Sequence, residues 1–254
     1  MIVYQQHVSI SVAHILKQIR VKILNSHLKS STKVRNISVS AVVRKKMTDN
    51  NEIRQSRFVK EEEISCGKWL SLSQITYTDP TGKERTWEAV SRTTSQTGTD
   101  AVCVIAILKR MLKYDCLVLV KQYRPPMKCY TLEFPAGLID PDETAATCGL
   151  RELKEETGYI GTLKHESPVT CLDPGIGGTT CHLITAEIDG DIDSNIHPKN
   201  KLEESEFIEV LCIPTDELLN KLNDFTKQGV VVNTMVYSYA IAMEQSKKTK
   251  NKSL

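Results

Sequence analysis

Hydrophobic and polar residues follow two different periodicities along this chain. They alternate in WLSLSQITYTDPTGKERTWEAVSRT (69–93), and this alternation predicts two strands joined by a Pro/Gly turn at residues 79–83. The apolar runs AVCVIAIL (101–108) and CLVLVKQY (116–123) are rich in β-branched residues and are typical of central strands. TLEFPAGL (131–138) predicts a shorter strand that ends in a Pro-Ala-Gly turn.

Strands and helices are mixed in the second half of the chain. Strand-like segments lie near residues 168–172, 181–188 and 207–213. PTDELLNKLNDF (214–225) and VNTMVYSYAIAMEQ (232–245) place apolar residues at helical spacing. Because helices and strands do not alternate strictly, the pattern predicts an α+β fold in which a mixed β-sheet lies between helices.

A further helix is predicted within GLIDPDETAATCGLRELKEETGY. Asp140 can serve as its N-cap ahead of Pro141, and Glu143 follows three residues after the cap, as in a capping box. Gly158 is suited to the left-handed conformation that ends a helix. We therefore expect a helix from Pro141 to Thr157.

This predicted helix has one acidic face and one apolar face. Glu152, Glu155 and Glu156 fall in one arc at about 100° per residue. Glu152 and Glu156 are one turn apart, and like charges at that spacing repel each other. The face toward the core is expected to consist of Ala146, Leu150, Leu153 and Thr157.

Clustered carboxylates beside an arginine indicate a metal site. Carboxylate oxygens are the ligands that Mg²⁺ and Mn²⁺ prefer, and a divalent cation would remove the repulsion between the glutamates. Such a cation can polarise the phosphorus of a diphosphate and orient a nucleophilic water. Arg151 can hold one of the glutamates in place beside the metal.

The composition is that of a globular protein with reduced thiols. Of 254 residues, 40% are hydrophobic and 25% are charged. No apolar run approaches the ~20 residues of a membrane-spanning helix. The eight cysteines are scattered without a CxxC pair, which favours buried, inert thiols in a reducing compartment over disulfides or a zinc site.

The first 47 residues differ from the rest in charge. They contain nine Lys or Arg and neither Asp nor Glu, a composition typical of a mitochondrial transit peptide. A solvated extension, or sequence upstream of a start at Met47, would have the same composition. We expect a cytoplasmic protein with access to the nucleus, and the mitochondrion is the alternative location.

The acidic helix also carries a family signature. Gly137, Glu143 and the run Arg151-Glu152-Leu153-x-Glu155-Glu156-x-Gly158-Tyr159 match the Nudix box in order and spacing. Tyr159 stands where an aliphatic residue is commoner. The chain therefore resembles the Nudix hydrolases, which act on nucleoside diphosphates linked to another group, and the resemblance implies the Nudix fold.

Residues outside the box narrow the resemblance. Characteristic stretches include TYTDPTGKERTWEAVSRTT, VLVKQYRPPM, EFPAGLID, CLDPG and EFIEV. Through these stretches the chain, from about residue 61 to residue 243, is similar to the eukaryotic ADP-sugar (ADP-ribose) pyrophosphatases. The similarity implies hydrolysis of ADP-ribose to AMP and ribose 5-phosphate with Mg²⁺, or with Mn²⁺ in its place. It also implies a homodimer whose N-terminal strands exchange across the interface.

Composition and the resemblance together divide the chain into four segments. Residues 1–57 would be a basic extension that is disordered or used for targeting. Residues 58–98 would be a β segment that takes part in dimerisation. The Nudix hydrolase domain would span residues 99–244, and residues 245–254 would form a basic, frayed tail.

The same resemblance assigns substrate contacts. Adenine would lie between Trp69 and Trp87 from different subunits, because stacked aromatic rings recognise a base without many hydrogen bonds. Arg92 and Arg124 would contact the diphosphate through their guanidinium groups. Further substrate contacts are expected from Glu133, which could instead support the metal site, from Leu138, and from Asp173, which would face the terminal ribose.

Metal binding and catalysis are assigned in the same way. Glu152 and Glu156 would be the primary metal ligands, joined by Glu155 and by the backbone carbonyl of Ala136. Arg151 and Glu155 would also take part in catalysis.

The general base is expected in KNKLEESEFIEV (199–210). Alignment on EFIEV points to Glu206. This loop is rich in glutamate where the family usually has Gly and Pro, so Glu203 and Glu204 are alternatives.

Three other functions stay open at this stage. The same box could act on oxidised nucleoside diphosphates such as 8-oxo-dGDP. A Nudix fold can also serve as a non-catalytic interaction module, although the complete set of box carboxylates counts against it. The basic N-terminus could bind RNA, but its charges are not interleaved with aromatic residues, so neither a nucleic-acid nor a membrane partner is expected.

Overall fold

The computed structural model describes residues 55–93, 99–204 and 206–250. Residues 1–54 of the predicted basic extension and the last four residues of the predicted tail lie outside these ranges. The described residues form two β-sheets, four α-helices and one short 3-10 turn. Within them, no helix is long and apolar enough to cross a membrane.

The first sheet has three antiparallel strands, paired in chain order. The predicted turn between the second and third strands is confirmed, because the Asp79 N–H donates to the Lys83 carbonyl over 2.9 Å and Gly82 has a φ of 86°. Every side chain of the first strand is exposed. The strands are β1 (Arg57–Cys66), β2 (Leu70–Thr78) and β3 (Glu84–Arg92).

The second sheet has nine strands that run in mixed directions. Both predicted central strands are confirmed and are longer than the apolar runs that predicted them. The strands are β4 (Ala101–Arg110), β5 (Lys113–Arg124), β6 (Cys129–Glu133), β7 (Ala136–Leu138), β8 (Thr162–Glu166), β9 (Thr170–Cys171), β10 (Thr180–Asp189), β11 (Glu209–Pro214) and β12 (Val231–Val232).

The order of this sheet is β12-β6-β5-β4-β10-β8, with β11 paired to β5, β7 to β4 and β9 to β10. β10 runs parallel to β4 and β12 parallel to β6, whereas the other pairs are antiparallel. The prediction of a mixed sheet is therefore confirmed.

Helices cover both faces of the second sheet. Val104 of β4 packs in one core cluster with Leu153, while the neighbouring Cys103 packs in a second cluster with Leu222. Successive strand residues point to opposite faces, so a strand buried on both sides reads as an unbroken apolar run. The helices are α1 (Ala145–Thr157), α2 (Asp193–Ile196), α3 (Leu218–Lys227) and α4 (Thr234–Lys250).

The predicted start of α1 is wrong by four residues. Thr144, not Asp140, is the N-cap, and its hydroxyl accepts a hydrogen bond from the Thr147 N–H over 3.2 Å. The Thr147 hydroxyl in turn accepts from the Thr144 N–H over 3.0 Å, which completes a capping box. The predicted end is confirmed, because Gly158 has a φ of 78°.

Three other boundaries differ from the prediction. TLEFPAGL is two strands: β6 pairs with β5 and β7 pairs with β4, since Pro135 has no N–H to continue a ladder. α3 begins at Leu218, because Pro214 still pairs in β11 and a turn follows it. α4 continues to Lys250 instead of fraying at residue 245, and Lys247 Nζ ties it to the Thr215 carbonyl over 3.0 Å.

The cysteines are less buried than predicted. All eight are free. Cys103, Cys116, Cys148 and Cys181 are buried, whereas Cys66, Cys171 and Cys212 are exposed.

Candidate active site

Arg151 on α1 links three glutamates. Its Nε and Nη2 donate to Glu143 Oε1 and Oε2 over 3.0 and 2.8 Å, forming a two-pronged ion pair. Its Nη1 donates to Glu152 Oε1 over 2.8 Å and to Glu155 Oε2 over 3.0 Å. The pair with Arg151 lowers the pKa of Glu143. Glu143 therefore orients Arg151, and its predicted role in a capping box is wrong.

Glu156 is the buried member of the glutamate cluster. Its side chain lies against the sheet and the residue is only 4% exposed, although the sequence placed it on a separate acidic face. Its Oε2 accepts a hydrogen bond from the Ala136 N–H over 3.1 Å. Burial, with added repulsion from Glu152 and Glu206, raises the pKa of Glu156 to about 8.

Gly137 leaves room for the carboxylate of Glu152. A Cβ atom at position 137 would lie 2.0 Å from Oε1 of Glu152. Burial raises the pKa of Glu152, and the hydrogen bond from Arg151 opposes that shift. The box glycine thus allows the Glu152 carboxylate to lie directly against β7.

The chemistry of these donors fits a hard divalent cation. Glu152, Glu155 and Glu156 offer carboxylate oxygens within little more than one turn of one helix, next to the backbone of Ala136. In the part of the chain that the structure describes, no three such groups converge as a ready metal cluster. Arg151 and the Ala136 N–H hold the carboxylates instead.

A cavity of about 580 Å³ borders this cluster along β7. It brings together six of the predicted residues, which come from the first sheet, the second sheet and the loop after β9. Two of them are cationic and two are acidic. The six are Arg92, Arg124, Glu133, Ala136, Leu138 and Asp173.

Arg124 and Glu133 form a two-pronged pair in this cavity. Arg124 Nε and Nη2 donate to Glu133 Oε1 and Oε2, each over 2.8 Å. The Thr131 hydroxyl also donates to Glu133 Oε1 over 2.5 Å. Burial would raise the pKa of Glu133, but these hydrogen bonds outweigh it and hold the pKa below the usual range. Arg124 therefore keeps one terminal nitrogen, Nη1, free of this pair.

The contribution of α4 to the cavity was not predicted from the sequence. Asn233, Thr234 and Met235 line it at the N-terminus of the helix. The Asn233 side chain caps this end, since its Oδ1 accepts from the Met235 N–H over 2.9 Å. The Asn-Thr pair ahead of an apolar run is a start signal that could have identified them. Cys103 was also missed, because an apolar run gives no sign of which strand end faces a cavity.

The loop that carries the three candidate bases is anchored on α1. The Lys201 N–H donates to the Glu155 carbonyl over 2.7 Å, at the end of the helix. Glu206 Oε2 accepts from the Glu203 N–H over 2.9 Å. Glu206 is half-buried, and its charge adds to the burial that raises the pKa of both Glu152 and Glu156, whereas Glu203 and Glu204 are exposed.

The two tryptophans are far apart along the first sheet: Trp69 lies at its end, just before β2, and Trp87 lies in the middle of β3. The Thr93 N–H donates to the Trp69 carbonyl over 3.1 Å, whereas Trp87 pairs with Ile75. Trp69 is six residues from Ile75, the residue opposite Trp87, so the two tryptophans are separated by roughly 20 Å along the strands. A base stacks on a ring at a centroid distance of about 4.5 to 7 Å, so the two rings of one chain cannot enclose the same base.

Comparison with known proteins identifies the class that this fold and site define. The model of the NUDIX domain matches residues 98–232, and the chain belongs to the Nudix family. Enzymes of this family generally use a divalent metal.

Two relatives match most of the chain. It is 46% identical to the ADP-sugar pyrophosphatase of Mus musculus over 188 residues, which cover 73% of this chain and 86% of that protein. It is 40% identical to the ADP-ribose pyrophosphatase of Saccharomyces cerevisiae over 194 residues, which cover 76% of this chain and 83% of that protein.

A solved structure supports the fold. The crystal structure of an ADP compounds hydrolase aligns with a TM-score of 0.56 over 81% of this chain and 100% of that one. The sequences are 18% identical, so this likeness shows the Nudix fold alone.

Proposed function

We propose that this chain hydrolyses the diphosphate bond of ADP-ribose and related ADP-sugars to AMP and a sugar phosphate, with Mg²⁺ as the metal. The main support for the proposal is that β7 is shared by the cavity and the glutamate cluster. β7 borders the cavity that contains Arg92 and Arg124, and it also contacts the carboxylates of Glu152 and Glu156. The names of the two relatives agree with this substrate class.

The metal would be held by Glu152 and Glu156, with Glu155 and the Ala136 carbonyl as further ligands. A divalent cation there supplies charge neutralisation of the diphosphate and polarises the phosphorus under attack. Burial raises the pKa of Glu156 and repulsion from Glu152 and Glu206 adds to the shift, so a cation that neutralises these charges would be favoured there. Arg151 keeps Glu152 and Glu155 in position through its hydrogen bonds.

The remaining residues perform binding and proton transfer. Arg92 and the free nitrogen of Arg124 bind the phosphate oxygens, and Asp173 and Leu138 contact the sugar side. Glu206 takes a proton from the attacking water as its oxygen bonds to phosphorus and the bridging P–O bond breaks. The products are AMP and ribose 5-phosphate. Glu206 is preferred to Glu203 and Glu204 because it is half-buried in the loop anchored on α1, whereas the other two are exposed.

A complete nucleobase site would require two copies of the chain. Trp69 and Trp87 lie too far apart in one chain to stack on the same adenine. The fully exposed β1 and the exposed Trp69 leave this sheet available to a partner. We therefore infer a homodimer in which each adenine is held by Trp69 of one subunit and Trp87 of the other.

A product assay tests the proposed function. The full-length chain with Mg²⁺ would be offered ADP-ribose, ADP-glucose and 8-oxo-dGDP in separate reactions, and mass spectrometry would identify the products. The fastest turnover should occur with ADP-ribose and give AMP plus ribose 5-phosphate. Faster turnover of 8-oxo-dGDP would move the function to oxidised nucleotides. No turnover by a folded protein would favour a non-catalytic module.

A further inference from the structure

Trp87 is held in place by a loop of its own chain. We call residues 172–177, between β9 and β10, the Asp173 loop. The indole Nε1 of Trp87 donates to the Gly175 carbonyl over 3.1 Å. Three residues further along β3, the Val90 N–H donates to the Ile176 carbonyl over 2.9 Å. The ring and the strand beneath it are therefore fixed by the same loop.

The Asp173 loop has a tight internal turn. The N–H groups of Ile176 and Gly177 both donate to the Asp173 carbonyl, over 3.1 and 3.0 Å. The Gly175 N–H donates to Asp173 Oδ1 over 3.3 Å. Asp173 also lines the 580 Å³ cavity. Asp173 thus lines the cavity and also holds Gly175, whose carbonyl accepts the hydrogen bond from the Trp87 indole.

Gly177 allows the loop to approach β3 closely. Gly177 and Val90 form a parallel bridge, and a Cβ atom at position 177 would lie 2.4 Å from the Val90 carbonyl oxygen. A backbone oxygen cannot move aside as a flexible side chain can. Any side chain at position 177 must therefore push the loop away from the strand. At the next position, Gly178, a Cβ atom would meet nothing within 4 Å.

The other tryptophan has no such support. Trp69 is 61% exposed and Trp87 is 51% exposed, so the difference lies in their contacts: the ring of Trp69 has Lys68 Nζ 4.6 Å from its centroid. Among the described residues, its indole nitrogen donates to no hydrogen-bond acceptor. The two rings differ in freedom: Trp87 is pre-oriented by the loop, whereas Trp69 is free to adjust. A pre-oriented ring loses less conformational entropy on binding a base.

We propose that the Asp173 loop is a positioning element for the nucleobase, with Gly177 as its positioning residue and the Gly175 carbonyl as the contact that orients Trp87. The loop links base recognition to the cavity that receives the diphosphate and the sugar. This inference rests on the stacking role of Trp87 in the proposed function. In addition, Trp87 would be the fixed aromatic ring of the base site and Trp69 the ring that can adjust.

The wild-type chain provides the first test. A ¹H–¹⁵N spectrum would show two indole signals, since Trp69 and Trp87 are the two tryptophans of the sequence, and Trp69→Phe assigns them. The Trp87 N–H should exchange with water about tenfold or more slowly than that of Trp69, because it is hydrogen-bonded. Equal exchange rates would overturn the proposal. This measurement uses no substrate, so it stands even if ADP-ribose is not hydrolysed.

The second test uses Gly177→Ala, with Gly178→Ala as the matched control. Gly177→Ala should weaken AMP binding about fivefold, as expected for loss of one oriented contact, and should speed exchange of the Trp87 indole N–H toward the rate of Trp69. Gly178→Ala should leave both quantities unchanged. Calorimetric titration measures the AMP affinities, ¹H–¹⁵N spectra give the exchange rates, and thermal melting confirms folding. Unchanged AMP binding, or unchanged exchange of the Trp87 N–H, in a folded Gly177→Ala protein would contradict a role in base recognition.

Discussion

The carboxylate of Glu156 and the backbone N–H of Ala136 are hydrogen-bonded at 3.1 Å, which joins α1 to β7 at the edge of the cavity. The contact lies in a nearly closed environment, where a charged carboxylate is costly. The pKa of Glu156 is accordingly raised to about 8. This site is therefore stabilised by protonation or by a cation.

Glu156→Gln should stabilise the metal-free protein at pH 8. The unfolded pKa is 4.5 and the folded pKa about 8, so the folded state binds the extra proton between these values and loses stability as pH rises through that window. Gln removes this loss, and its carbonyl can still accept from Ala136. We expect a gain on the order of 2 to 4 kcal/mol at pH 8 and none at pH 4.

Chemical denaturation of both proteins in EDTA at the two pH values measures the effect. The same substitution should abolish Mg²⁺-dependent turnover, because it removes a proposed ligand. A Glu156→Gln protein that is less stable than wild type at pH 8, or that keeps full activity, would contradict this assignment.

Arg151→Lys should impair metal binding although it keeps the charge. Lysine cannot reproduce the two-pronged pair with Glu143 while also reaching Glu152 and Glu155. We expect kcat/KM to fall by about tenfold or more, with a higher Mg²⁺ concentration for half-maximal activity. Arg85→Lys is the control. Arg85 lies at the start of β3 and pairs with Asp79 of the preceding turn, away from α1. Equal effects of the two substitutions would argue against a role beside the metal.

Glu206→Gln should lower kcat by about 10² to 10³ while KM for ADP-ribose changes little, as expected for loss of a general base. Glu203→Gln and Glu204→Gln should each stay within about twofold of wild type, because both residues are exposed. Steady-state kinetics of the three variants distinguishes the candidates. A large loss in Glu204→Gln with none in Glu206→Gln would transfer the role.

Gly158→Ala should reduce activity as well as stability. Gly158 has a φ of 78°, and a Cβ atom there would lie 2.5 Å from the Lys199 backbone nitrogen, in the loop that leads to Glu206. Gly229 has a φ of 85° but open space around it. Gly229→Ala should therefore cost only the conformational penalty of about 1 kcal/mol. Kinetics and thermal melting of both variants test whether the extra clash displaces the catalytic loop.

Mixed dimers test the shared nucleobase site. Trp69→Ala and Trp87→Ala should each raise KM for ADP-ribose, since each removes one stacking ring. When the two variants are mixed, denatured and refolded together, each heterodimer should contain one site with both tryptophans and one with neither. Recovery of activity at low substrate concentration is expected, and its absence in a verified heterodimer would place both rings in one subunit's site.

The sequence was sufficient for most of the fold and for the residue types of the site. Alternation and β-branched runs predicted β2 to β5. A strand buried on one face alternates apolar and polar residues, and a strand buried on both faces is a continuous apolar run. The exposed β8 shows neither pattern, and every side chain in it is exposed. The start of α1 was missed because Asp140 and Thr144 are both good N-caps. Only the three-dimensional packing decides between them.

The sequence could predict which residues form the site, but not which of them form hydrogen bonds or ion pairs with each other. Spacing identified the glutamates, yet it did not show that Glu156 is buried or that Glu133 is paired with Arg124. These relationships join β5, β6, β7 and α1, which are far apart in sequence. The link between Trp87 and Gly175 spans 88 positions for the same reason.

Gly137 has a consequence for any attempt to redesign the site. A methyl group at position 137 would occupy the volume in which the Glu152 carboxylate now lies, 2.0 Å away. Such a methyl group would be a permanent steric obstacle to the carboxylate, and substrate could not displace it. An enzyme altered there should fold around a displaced carboxylate and should need a higher Mg²⁺ concentration for half-maximal activity, a defect that added ADP-ribose should not correct.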